Sequence, residues 1–138
     1  MSYMFRLCSW LSNLNLKNFN TQNVETTAGL FFSCNGLTEI DISNFDLSNN
    51  KNMSNMFCDC SALIKLDLGN INPQKVENMS SLFDGCHMLT SIDVSKFITT
   101  NVLDVSNMFQ DCNQIKELKL SSFDTGKVTG WQECLKVV

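Results

Sequence analysis

LIKLDLGNINPQKVENMSSLFDGC, residues 63–86, carries two periodicities in succession. Leu66 and Leu68 alternate with Lys65, Asp67 and Gly69, the pattern of a short strand with one buried face. Val76, Met79, Leu82, Phe83, Cys86 and Leu89 then advance by 3, 3, 1, 3 and 3 residues, which reads as one face of a short helix. Ile71, between the two, is expected to point inward from the turn.

The same arrangement recurs on both sides. Cys8, Cys34, Cys60, Cys86 and Cys112 are each 26 residues apart, and the columns around them keep register. Met4-Phe5 returns as Leu30-Phe31, Met56-Phe57, Leu82-Phe83 and Met108-Phe109, and Ile71 continues a column of Phe19, Phe45, Phe97 and Phe123. An unbroken period of this length marks a stacked repeat, because one unit cannot bury its apolar side alone. Four complete units are expected at 11–36, 37–62, 63–88 and 89–114, with partial units at 1–10 and 115–138, in one repeat domain. Thr26, Asn52, Asn78 and Asp104 precede the apolar run of each unit and are of N-cap type, so each is expected to cap a helix for roughly 1 kcal/mol. Both ends read as those of a segment of a longer array, with a partial cap formed by Trp131, Cys134 and Leu135 as the alternative.

Composition narrows the function. A net charge of -4 without clustered Lys and Arg argues against a nucleic-acid partner. No apolar run approaches the ~18 residues of a membrane span, and no secretory signal is read at the start. The chain shows no Gly-rich phosphate loop, no G-x-S-x-G motif and one histidine, His87, so neither catalysis nor a cofactor is expected.

The repeat L-x-x-L-D-L-S-x-F-D-T-x-x-V-x-N-M-S-x-M-F-x-x-C resembles the BspA-like leucine-rich repeat family, in the branch of 25–26-residue repeats of bacterial surface proteins and lipoproteins. Leu37, Ile40-Asp41-Ile42-Ser43, Phe45-Asp46, Asn52-Met53-Ser54, Met56-Phe57 and Cys60 carry the match, repeated by Ser95, Phe97, Val102, Met108-Phe109 and Cys112. Departures are Asn50, where Val76 and Val102 stand in other units, and the unit from Leu11, which lacks the Met-Ser pair. The usual strand-exit Asn is replaced by Phe45, Ile71, Phe97 and Phe123, so packing and local Asp or Ser hydrogen bonds must hold the turn. The expected fold is thus an α/β solenoid, a leucine-rich-repeat-like right-handed coil with a parallel sheet on one face and short helices on the other. The resemblance implies display at the cell surface or secretion, for adhesion or host contact.

Two columns invite chemistry. The cysteines fall on the apolar face and are expected as buried thiols, with disulfides or a metal as alternatives. A lone histidine makes a zinc site hard to assemble. Cys58 is expected to face away from the core and to be the most reactive thiol if exposed. Asp41, Asp67 and Asp93 form an outward column flanked by Asn15 and Lys119, with a repulsion of roughly 0.8 kcal/mol per neighbouring pair in high dielectric. The column reads first as a solvated sheet face, with a basic partner or weak divalent-cation binding as alternatives, although three carboxylates in line lack the convergent oxygens that Ca²⁺ favours. Glu39, Asp41, Lys65, Asp67, Asp93 and Lys119 are therefore the candidate partner-binding residues, for a protein or glycan ligand on the exposed sheet face. The alternatives are a cytoplasmic repeat scaffold for protein–protein interaction and a structural spacer in a longer array.

Overall fold

The computed structural model describes residues 1–116 and 118–134. Among them only two strands form, β1 (Glu39–Asp41) and β2 (Lys65–Asp67), and no helix. The two strands pair in parallel, with Ile40 opposite Leu66 and Asp41 opposite Asp67. The expected α/β solenoid, with a helical wall and a parallel sheet running through the repeats, is therefore not the fold of this chain. Leu135, part of the expected terminal cap, and the end of the 115–138 unit lie outside the described residues.

A chain of tight turns stands where helices were expected. In the second coil the Leu30 N–H donates to Thr27 O at 3.0 Å, Phe32 to Gly29 O at 3.1 Å and Cys34 to Phe31 O at 3.1 Å. The N–H groups between these donate to the next coil: Thr27 to Asn52 O, Gly29 to Ser54 O, Phe31 to Met56 O and Ser33 to Cys58 O, all at 2.9–3.0 Å. An α-helix would commit every N–H to its own fourth-preceding carbonyl and leave none for the neighbouring coil.

The alternation requires a left-handed residue at two places in each coil. Gly29 (φ 58), Asn55 (φ 56), Ser81 (φ 51) and Asn107 (φ 57) fill one column; Ser33 (φ 56), Asp59 (φ 58), Gly85 (φ 72) and Asp111 (φ 57) fill another. Each is the third residue of a turn of type II character, where a positive φ is obligatory. These columns hold mostly Gly, Asn, Asp and Ser, types that tolerate or locally stabilise such a backbone. A positive φ every fourth residue is incompatible with a right-handed helix.

The turns place the apolar columns inward. Phe5, Phe31, Phe57, Phe83 and Phe109 stack with ring centroids 5.4–5.7 Å apart. The second aromatic column pairs Phe19 with Phe45 and Phe97 with Phe123, both at 6.5 Å, and Ile71 separates the pairs. Phe31, Phe57, Phe83 and Phe109 are fully buried, each worth about 1.5–3 kcal/mol of transfer free energy.

The cysteines complete the core. Cys34, Cys60, Cys86 and Cys112 donate through Sγ to the carbonyls of Phe5, Phe31, Phe57 and Phe83 in the preceding coil, at 3.0–3.2 Å. All the cysteines are free thiols. Burial pushes the Cys34 thiol up to about 11 and the Cys112 thiol to about 12. Cys58 corrects an expectation: it is buried at 6% exposure, and burial, with Asp59 and Asp84 nearby, pushes its thiol to about 12.

The capping column has a different task as well. Thr26, Asn52, Asn78, Asp104 and Gly130 bridge one another in parallel from coil to coil. The Asn52, Asn78 and Asp104 Oδ1 atoms accept the N–H two residues on, from Ser54, Ser80 and Ser106 at 2.8–2.9 Å. They initiate the turn wall rather than a helix.

Candidate functional site

β1 and β2 expose alternate side chains because the strand period is two. Ile40 and Leu66 point into the core, while Glu39, Asp41, Lys65 and Asp67 are exposed. Asp93, in the corresponding position of the next coil, is exposed as well, although residues 91–93 form no strand.

The regular ladder stops at β2, and a concavity of about 780 Å³ opens there. Lys65 and Asp67 line its near side, Thr90, Ser91 and Asp93 the adjoining coil, and Lys116 and Lys119 the far side. Four of the six candidate residues, Lys65, Asp67, Asp93 and Lys119, thus share one groove. Glu39 and Asp41 line a separate, smaller hollow of about 230 Å³ with Ser12, Asn13 and Thr38. The sequence reading did not select Thr90, Ser91 or Lys116. Their columns were the available signal, but Thr38, Ile64, Thr90 and Lys116 share one column and differ in chemistry, so no pattern stood out.

The aspartates have a local duty besides facing solvent. Asp41 Oδ1 accepts the Ser43 N–H at 2.9 Å and its hydroxyl at 2.6 Å. Asp67 Oδ1 accepts the Gly69 N–H, and Asp93 Oδ1 the Ser95 N–H, both at 2.9 Å. These are Asx turns that close the strand exit. They supply the Asp and Ser hydrogen bonds expected in place of the absent strand-exit Asn. Ser43 lowers the Asp41 carboxyl, followed by Lys17 and Lys65; Ser95 lowers that of Asp93, followed by Lys96 and Lys119. One oxygen of each carboxylate is held while the charge stays outward. Lysines and aspartates therefore share the groove, an arrangement suited to mixed-charge recognition.

Groups of metal-ligating side chains that could hold an ion do not occur among the described residues. No helix among them is long and apolar enough to cross a membrane. His87 Nδ1 lies 3.0 Å from Asp111 O.

The family described as "Mycoplasma protein of unknown function, DUF285" matches residues 1–91 and again residues 61–137. No curated protein matches the chain. No solved structure matches it either.

Proposed function

We propose that this chain, which belongs to the DUF285 family of Mycoplasma proteins of unknown function, is a non-enzymatic binding module that presents the Lys65–Lys119 groove to a protein or glycan partner. The observation that carries this reading is the concavity itself, which begins where the strand ladder ends and gathers three lysines, two aspartates and three hydroxyl side chains. A lining of both signs favours a partner of mixed charge and penalises one of single sign. The resemblance of the repeat columns to BspA-like surface proteins supports a place at the cell surface. That resemblance bears on the columns and on display, and is not carried over to the fold.

The test is a screen of the purified chain against peptide libraries and glycan arrays, run beside a Lys65→Glu/Lys119→Glu variant. The expected outcome is a ligand whose affinity falls about tenfold or more in the variant, at an unchanged melting temperature. A ligand indifferent to those substitutions would place recognition elsewhere. The absence of any ligand would favour a structural spacer.

A further inference from the structure

A second surface lies on the flank of each coil that leads into the turn wall. Asn49 donates through Nδ2 to Gln22 O at 2.8 Å, and its Oδ1 accepts Lys75 Nζ at 2.7 Å. Two coils further on the device repeats: Asn101 Nδ2 donates to Gln74 O at 3.0 Å and its Oδ1 accepts Lys127 Nζ at 3.1 Å. Each amide is fixed to backbone on one side and holds an ammonium on the other. An ammonium has three donors, so each lysine keeps two for a ligand. Holding the side chain in place beforehand lowers the ordering cost of binding.

Lys75 and Lys127 occupy one column two coils apart, roughly 10 Å at the spacing of parallel-paired chains. They line a trough of about 500 Å³ with Lys51, Glu77, Asn101 and Leu103. Lys51 is paired with Glu25 at 3.0 Å. With Lys51 neutralised by Glu25, the trough carries the ammoniums of Lys75 and Lys127 against the Glu77 carboxylate, a local positive excess in a chain whose net charge is -4. Leu103, 45% exposed, places an apolar contact in the middle of it.

We infer that this trough binds a linear acidic polysaccharide lying along the stack, with anionic groups on Lys75 and Lys127 and a sugar C–H face on Leu103. Anions that recur once per disaccharide have a spacing of the same order as two coils. A nucleic-acid strand fits less well. Its phosphates recur once per nucleotide, about 3.4 Å of axis for a strand in a duplex, and would outnumber the lysines. Among the described residues, the trough's lining also holds no aromatic side chain on which bases could stack.

Fluorescence anisotropy of the full chain with a labelled heparin octasaccharide tests the inference. Binding is expected at low salt and should weaken as salt rises. Lys75→Gln/Lys127→Gln should reduce it about tenfold. Asn101→Leu, which releases Lys127, should reduce it by a smaller factor at unchanged secondary structure. Lys65→Gln/Lys119→Gln in the strand-side groove should leave it unchanged, so that this site and the groove succeed or fail separately. Failure to bind at low salt would overturn the inference. So would equal competition by neutral dextran, tighter binding of a single-stranded oligonucleotide, or loss of binding only in the strand-side variant.

Discussion

The turn wall and the strand face are built from the same 26-residue register, yet only the turn wall is continuous. On the turn wall, parallel bridges run from Thr26 through Asn52, Asn78 and Asp104 to Gly130, and each coil donates alternate N–H groups to the next. On the strand face, pairing among the described residues is confined to β1 and β2. The difference follows from what each column must do. Turn-wall positions are constrained by φ and by the core, so their residue types vary within narrow limits. Strand-face positions are exposed at every second residue and are free to diversify, as Asn13, Glu39, Lys65 and Ser91 do in a single column. Backbone constraint is concentrated in the first wall and side-chain variety in the second.

Substitutions can break or sharpen this contrast. The largest effect is expected from Phe57→Ala, which removes the middle of the aromatic stack and should cost about 3–5 kcal/mol in denaturant unfolding, whereas Lys65→Ala should stay within about 0.5 kcal/mol. Comparable losses from the two would erase the distinction between the walls.

Asn50 is the next test, because it is a flaw inside the stable part. It is fully buried in a column otherwise made of Val24, Val76, Val102 and Val128, and its Oδ1 has no hydrogen-bond partner among the described residues. Its Nδ2 reaches Val24 O only at 3.4 Å. Asn50→Val should raise stability by about 1–3 kcal/mol, since a buried unsatisfied acceptor is removed. A lower unfolding midpoint would mean that the amide bond to Val24 matters more than the orphaned oxygen.

Backbone handedness comes third. Asn55→Val should cost about 1–2 kcal/mol because a β-branched residue resists positive φ, while Asn55→Gly should be neutral or mildly stabilising. Equal tolerance of valine and glycine would argue against the turn chain.

The smallest effect concerns pH. Asp41 and Asp93 have lowered carboxyl values, so their contribution is full above the unfolded value of about 3.9 and is lost as pH falls through the folded value. Asp41→Asn/Asp93→Asn should flatten the acid slope of the melting temperature while keeping the Asx turns. Asp84 behaves in the opposite sense: burial raises its carboxyl, with Asp59 and Asp111 adding to the shift, so its contribution is present at low pH and is lost as pH rises through the folded value. Asp84→Asn should remove that loss. An unchanged pH profile in both variants would show that these carboxylates have no differential interaction in the folded state.

Much of the core was legible from the residues. The Leu, Phe, Met and Cys columns are buried in the central coils, and the reason is simple: columns that remain apolar in every unit must face other apolar columns. The helix was misread for an equally simple reason. An advance of 3, 3, 1, 3 and 3 residues reports which side chains share a face, and a chain of tight turns can present the same face as a helix. The signal against a helix lay in the Gly29–Asn55–Ser81–Asn107 and Ser33–Asp59–Gly85–Asp111 columns, whose residue types mark positive φ every fourth residue. The candidate site was partly legible. Alternation identified Lys65, Asp67 and Asp93 as exposed, but Lys116, Thr90 and Ser91 joined the groove through stacking across coils. The Asn49–Lys75 and Asn101–Lys127 pairs escaped notice because each links residues 26 apart.

The sequence by itself determined the register: which residues recur, which columns are apolar, and how far apart equivalent side chains stand along the chain. Only the tertiary structure decided where the backbone N–H groups point. Side-chain periodicity is indifferent to that choice. A neighbouring coil with free carbonyls turns alternate N–H groups outward to bond to it, and a helix, which keeps those donors to itself, gives way to a ladder of turns.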